Sequence, residues 1–174
     1  LTLVTGPEQL LVDRAVATAI ERAKEQDAEL DVVRLEGDTY EPGALGVHAS
    51  PSLFGGGTAI VVRGLDVATD ELQADLLSYL AVPEPDVHLI VTFAGGNRAK
   101  KVVDALKGAG AHVVDAPLIK SDRDKSDFVH REIKAARRTI APGAVQALIE
   151  AVGNDLRELA ATCAQLVADT TGTI

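Results

Sequence analysis

Leu1-Thr2-Leu3-Val4-Thr5-Gly6-Pro7-Glu8-Gln9-Leu10-Leu11-Val12-Asp13 is the stretch on which the fold turns. Its first five residues form a short β-rich run that stops at Gly6. From Glu8 to Gln26, Leu10, Leu11, Ala15, Ala19 and Ile20 recur at helical spacing on one face. A strand that ends in glycine and hands on to a helix opens a β/α unit, and it directs attention to phosphate chemistry. A phosphate-binding loop reads G-x-x-x-x-G-K-S/T: its glycines let backbone N–H groups approach phosphate, its lysine neutralises charge and its hydroxyl holds Mg²⁺. Counted from Gly6, the last three positions are Leu11, Val12 and Asp13. Glycine, cation and metal ligand are lost together, and Asp13 sets a carboxylate where phosphate would bind. Because each group supplies a separate part of the binding, the unit is expected to lack a working nucleotide site.

Outward from this stretch, strands and helices alternate. Asp31 to Leu35 reads as a second strand, Glu41 to Ser50 as a helix with Pro42 in its first turn, and Thr58 to Arg63 as an apolar inner strand. Ala68 to Leu80 reads as a helix that stops before Pro83, Val87 to Phe93 as a fourth strand, Arg98 to Lys107 as a helix capped by Asn97 and stopped by Gly108, and Ala111 to Asp115 as a fifth strand. That rhythm implies a parallel sheet wrapped by helices. After Pro117 it changes to helices alone: Ser121 to Arg138, Pro142 to Val152, and Asp155 to Ala168. The sequence therefore predicts an α/β domain over 1–117 and a small three-helix domain over 118–174, with a hinge near Ala116-Pro117.

Composition narrows the function. Apolar residues make up 47% and charged residues 25%, the balance of an ordinary globular protein. No apolar run is long enough to span a bilayer, and no signal peptide is visible, so no membrane partner is expected. The net charge is −9. Residues 1–115 hold 9 Lys/Arg against 18 Asp/Glu, whereas 116–174 hold 8 of each. The first segment is thus poorly suited to grip nucleic acid by itself. The single cysteine, Cys163, excludes an intramolecular disulfide and is expected to be a buried thiol in a cytoplasmic protein. The chain contains no Met and ends in a loop-like Thr170-Thr171-Gly172-Thr173-Ile174, which reads as part of a longer protein.

Catalytic chemistry is thin. His48, His88, His112 and His130 lack the paired spacing of metal ligands. The inner strand Ile60-Val61-Val62 ends in Arg63-Gly64 instead of an acidic metal ligand, and Asp66 beyond it suits a turn or cap. No catalytic residue, metal or cofactor is expected. The unusual feature is Ser52-Leu53-Phe54, set directly against Gly55-Gly56-Gly57 in a chain with only five aromatic residues. On spacing alone it has two readings: Leu53 and Phe54 close a helix end and pack locally, or they form an exposed adhesive tip for another protein.

The order of these pieces resembles the delta subunit of the bacterial DNA polymerase III clamp loader. The resemblance is carried by Leu3 to Val12, by Ser50-Pro51-Ser52-Leu53-Phe54-Gly55, by Ile60 to Leu65, by Leu89-Ile90-Val91 with Lys100-Lys101, and by Val152 to Leu159. It implies an AAA+-like (RecA-type) sheet with a degenerate nucleotide site, followed by a helical lid. It implies a subunit without catalysis of its own inside a DNA polymerase (nucleotidyltransferase) complex. Its partners would be the sliding clamp (the beta subunit), the other loader subunits and, only in the assembled complex, DNA. Ser52, Leu53 and Phe54 match the family's clamp-binding tip. A further helical collar domain would lie beyond this chain. The rival expectation is an AAA+-type NTPase with an atypical phosphate loop around Gly6; a third is an adaptor of the same fold with another partner. Arg157 matches the position of the lid arginine that senses nucleotide in related ATPases, and without nucleotide it is expected to be structural. Arg123, Lys125, Arg131, Lys134, Arg137 and Arg138 form a basic stretch that reads either as a solvated helix face or as a surface turned to DNA.

Overall fold

The computed structural model describes residues 1–50 and 56–174. It divides into two compact units, Leu1–Pro117 and Leu118–Ile174. In the first, β1 (Thr2–Thr5), β2 (Asp31–Glu36), β3 (Thr58–Arg63), β4 (Val87–Phe93) and β5 (His112–Asp115) form one parallel sheet in the order β2-β3-β4-β1-β5. The helices of this unit are α1 (Gln9–Gln26), α2 (Ala44–His48), α3 (Asp70–Ala81) and α4 (Lys100–Gly108). The parallel sheet with its flanking helices, followed by a helical unit, is the AAA+-like architecture that the resemblance implied.

The sheet is covered on both faces, which explains why its inner strands are continuously apolar. Leu3, Ile60, Val62, Leu89 and Val91 point to one face and pack with Leu45, Leu72, Leu76, Val102 and Leu106 of α2, α3 and α4. Val4, Val61 and Ile90 point to the other and pack with Val12, Val16 and Ile20 of α1. Edge strand β2 instead exposes Asp31, Arg34 and Glu36, the charged residues that discourage edge-to-edge association.

The second unit packs α5 (Asp122–Ala135), α6 (Pro142–Val152) and α7 (Leu156–Asp169) around Phe128, Ile133, Val145, Leu159 and Cys163, all buried. Burying each large side chain of this kind is worth about 1.5–3 kcal/mol. Its helix starts follow their sequences: Ser121 Oγ accepts from Asp124 N, Asp155 Oδ1 accepts from Arg157 N and Glu158 N, and Pro142 occupies the first turn of α6.

Four helix boundaries depart from the sequence expectation. Helix α2 spans only Ala44–His48, not 41–50, because Gly43 adopts φ 84° and leaves Pro42 outside. Helix α3 begins at Asp70, where Thr69 Oγ1 caps Leu72 N at 3.2 Å. Asn97 does not cap α4, which starts at Lys100 after Ala99 at φ 55°. Arg98 is drawn away to Ala68 O (2.8 Å) and Asp70 Oδ1 (3.1 Å), fixing the chain before α4 begins. Helix α5 stops at Ala135 because Arg137 turns left-handed at φ 57°.

Candidate functional site

Ser52, Leu53 and Phe54 lie outside the described residues, as do Pro51 and Gly55. The structure does define the two supports between which this segment is strung. On the approach side, Leu45 and Ala49 are buried, anchoring α2 in the core, while Val47 is 72% exposed. A side-chain bracket holds the start of α2: Tyr40 Oη donates to Asp75 Oδ2 at 2.6 Å and accepts from Leu45 N at 2.9 Å, and Gly43 N donates to the same Asp75 oxygen at 2.8 Å. Burial, with the Asp75 bond second, pushes the Tyr40 hydroxyl up to about 12.

On the return side, Gly57 N donates to Asp27 Oδ2, and Asp27 Oδ1 accepts from Glu29 N at 3.0 Å. These two N–H bonds, Gly57 first, hold the Asp27 carboxyl below its ordinary value. Gly57 O accepts from Asp31 N and Thr58 N donates to Asp86 O, so β3 begins directly from this clasp. A Cβ on Gly57 would lie 2.6 Å from Asp86 O. Gly57 is therefore required for close backbone approach.

The region of the missing phosphate loop is occupied by protein contacts. Gly6 N donates to Phe93 O at 2.9 Å and Ala116 N to Thr5 O at 2.6 Å. Gly6 has φ 129°, and a Cβ there would lie 2.1 Å from Ala116 O, so only glycine fits this crossing. Asp13 Oδ1 accepts from Arg63 Nη1 at 3.1 Å. The position of a loop hydroxyl and the strand end of a metal carboxylate thus satisfy each other. A cleft of about 220 Å³ remains, lined among others by Glu36, Arg63, Asp66 and Thr92. Asp66 Oδ1 accepts from Ala94 N at 2.9 Å, which is the turn role expected of it. Two carboxylates against one committed guanidinium make this cleft a poor phosphate receptor. Among the described residues no group of three His, Cys, Asp or Glu side chains is placed to hold a metal ion.

Two members of the basic stretch from Arg123 to Arg138 have structural roles that the sequence did not reveal. Lys125 is buried; its Nζ donates to Asn154 Oδ1 at 2.7 Å and lies 3.5 Å from Asp122. Arg138 gathers the end of the chain, donating to Val167 O, Thr170 O, Thr170 Oγ1 and Gly172 O at 2.8–3.1 Å. Arg123, Arg131, Lys134 and Arg137 are exposed, as is Arg157 in the first turn of α7. Among the described residues no helix is long and apolar enough to cross a membrane.

Residues 3–116 match the family model for the DNA polymerase III delta subunit. No curated protein sequence matches the chain significantly. Among solved structures, the chain is similar to the DNA clamp loader delta protein YqeN of Bacillus subtilis, with TM-score 0.76, 17% identity, and coverage of 99% of this chain and 55% of that one. It is also similar to the Holliday junction branch migration motor RuvB of Thermotoga maritima, with TM-score 0.58, 10% identity, and coverage of 95% of this chain and 53% of that one. The chain therefore spans about half the length of the structures it matches.

Proposed function

The chain belongs to the DNA polymerase III delta-subunit family, and from that premise we propose that it binds and opens the ring-shaped sliding clamp for loading onto primed DNA, without hydrolysing ATP itself. The observation that carries the reading is the family match itself, whose residues 3–116 enclose Ser52-Leu53-Phe54. In this reading Leu53 and Phe54 enter an apolar pocket on the clamp, with Ser52 beside them. The two supports favour that use: a part-buried bracket at Tyr40 and Asp75 and a clasp at Asp27 and Gly57 leave a short segment between fixed ends. Fixed ends reduce the ordering cost of binding.

The energetics suit a contact that grips and releases. Burying one Leu and one Phe side chain is worth about 1.5–3 kcal/mol each, against an association cost of several kcal/mol. Assembly with other loader subunits, DNA contact within that assembly and a cytoplasmic setting belong to the same proposal, as does membership of a polymerase complex in which this subunit has no chemistry of its own. The rival, an NTPase using the Gly6 region, is opposed by the Asp13–Arg63 pair and the carboxylates of the adjoining cleft.

The test is surface-binding of the cognate clamp to the wild-type chain and to a Leu53→Ala/Phe54→Ala variant. Strong loss of binding with an unchanged melting temperature is expected. Unchanged affinity would overturn the assignment, and a large loss of stability would return Leu53 and Phe54 to the local-packing reading.

A further inference from the structure

A second cleft, of about 300 Å³, opens between α1 and the beginnings of β1, β4 and β5. It lies at the opposite ends of the strands from Gly6. Its shape follows from small residues: Ala15, Ala19 and Ala23 recur every four positions on the sheet-facing side of α1 and leave space that larger side chains would fill. The register explains the floor. Thr2 pairs with Ile90 on one side and His112 on the other, so His88, Thr2 and His112 share the face beneath α1.

The polar lining has a consistent character. Thr2, Thr18, Arg22, Gln26, His88 and His112 all offer hydrogen-bond donors, and no carboxylate lines the cleft. That is unexpected in a segment where 18 acids outnumber 9 bases. Among the described residues Arg22 and His112 carry no side-chain hydrogen bond or ion pair, so their donors are not consumed by the fold. Asp27 acts on His88 through space from the turn after α1, but its two carboxylate oxygens are committed to Gly57 N and Glu29 N.

We propose that this cleft is a binding site for a small organic phosphate, with the phosphate held by Arg22, His88 and His112 and a compact apolar body lying on the alanine shelf of α1. An isolated guanidinium beside two imidazoles suits a phosphate monoester, and a cleft of this size is at the lower end of small-molecule sites.

Phenyl phosphate and inorganic phosphate are the probes, titrated separately into the chain and followed by NMR of the histidine side chains and backbone amides. Phenyl phosphate is expected to shift His88, His112 and the amides of Ala15 to Ala23 saturably, and to bind more tightly than inorganic phosphate. Arg22→Ala, on an exposed side chain, is expected to weaken binding about tenfold, the effect of losing one hydrogen bond to a charged group. Ala19→Leu, which fills the shelf, is expected to abolish phenyl phosphate binding, and a Lys101→Ala control on α4 to leave it unchanged. Shifts that do not saturate, equal affinity for the two probes, or full binding by Arg22→Ala would each overturn the proposal. The Arg22 measurement stands even where Ala19→Leu fails to fold.

Discussion

Asp13 and Arg63 meet at 3.1 Å across the top of the sheet, one from the second turn of α1 and the other from the last position of β3. In a nucleotide-binding relative of this architecture those two elements converge on Mg²⁺ and phosphate; here they converge on each other. Each side chain is about one-third exposed, at 34% and 33%, so the pair is worth at most about 1 kcal/mol. Its consequence is chemical more than energetic. Mg-ATP is expected to give no heat in calorimetry and no melting shift. Asp13→Ala is expected to cost no more than about 1 kcal/mol in denaturant unfolding and to leave ATP unbound, because it restores neither lysine nor hydroxyl. Measurable ATP binding by the wild-type chain would revive the NTPase reading.

The clasp at Asp27 predicts a pH signature. Its folded-state carboxyl titrates below the ordinary value of 3.8, owing first to Gly57 N–H and then to Glu29 N–H. A carboxylate with a depressed folded value contributes stability above its unfolded value and loses it as pH falls through the folded one. Wild-type stability is therefore expected to hold down to about pH 4 and then fall, and Asp27→Asn is expected to flatten that acid limb in unfolding curves. Gly57→Ala, whose Cβ would meet Asp86 O at 2.6 Å, should destabilise the chain at every pH. On the proposed function, both variants also weaken clamp binding, by loosening one support of the 51–55 segment.

The tyrosine bracket is tested from the alkaline side. Tyr40 is raised from 10.0 to about 12, first by burial and then by its bond to Asp75; Tyr79 is also raised, chiefly by burial. A group whose folded value is raised contributes stability fully below its unfolded value and loses it as pH climbs to the folded one. Stability is expected to fall between pH 10 and 12, with Tyr40 ionising well above pH 10 in an absorbance titration of the native chain. Tyr40→Phe removes the acceptor of Leu45 N and one donor to Asp75, a loss of about 1–3 kcal/mol, and is expected to reduce the alkaline slope.

The sheet was legible because its signal is local. Ile60-Val61-Val62 and Leu89-Ile90-Val91 are apolar at every position since both faces are covered, and their shortness and β-branched content mark them as buried strands. Pro142 and Asp155 likewise marked helix starts through chemistry contained in one turn. Two of the four misread boundaries, the starts of α2 and α4, are held in part by distant partners. Nothing near Glu41 announces that Tyr40 will bond Asp75, 35 positions away, and nothing near Asn97 announces that Arg98 will reach Ala68. The two clasps beside the candidate tip were invisible for the same reason, although Leu53-Phe54 itself stood out by composition.

Lys125 is the sharpest example, and it separates a structural lysine from a surface one. It sits in a run of basic residues, yet its side chain is only 7% exposed and its nitrogen is satisfied by Asn154, 29 positions onward. Lys125→Ala is expected to lower stability by about 1–3 kcal/mol, through the lost bond to a buried charged group and the lost packing of its stem. Lys134→Ala, on the exposed side of the same helix, is expected to stay within about 0.5 kcal/mol of wild type. Equal effects in paired denaturant titrations would show that the run is one solvated face after all.

Arg137 offers a gain of stability in place of a loss. It holds φ 57° two residues past the end of α5, with its N–H donating to Lys134 O at 2.9 Å and the following Arg138 N donating to Ile133 O at 3.0 Å. This is the reverse turn that ends many helices, and its left-handed position favours glycine, because a Cβ there crowds the following carbonyl at a cost of about 1 kcal/mol. Arg137 is exposed, so little packing is lost by removing its side chain. Arg137→Gly trades that strain against the greater freedom of glycine in the unfolded chain. The net expectation is a gain of about 0.5 kcal/mol, read as a higher denaturant midpoint with an unchanged slope. Arg138→Gly, one position on, should do the opposite: it removes the guanidinium that holds Val167 O, Thr170 O and Gly172 O and is expected to lower the midpoint and expose the C-terminal segment to hydrogen exchange.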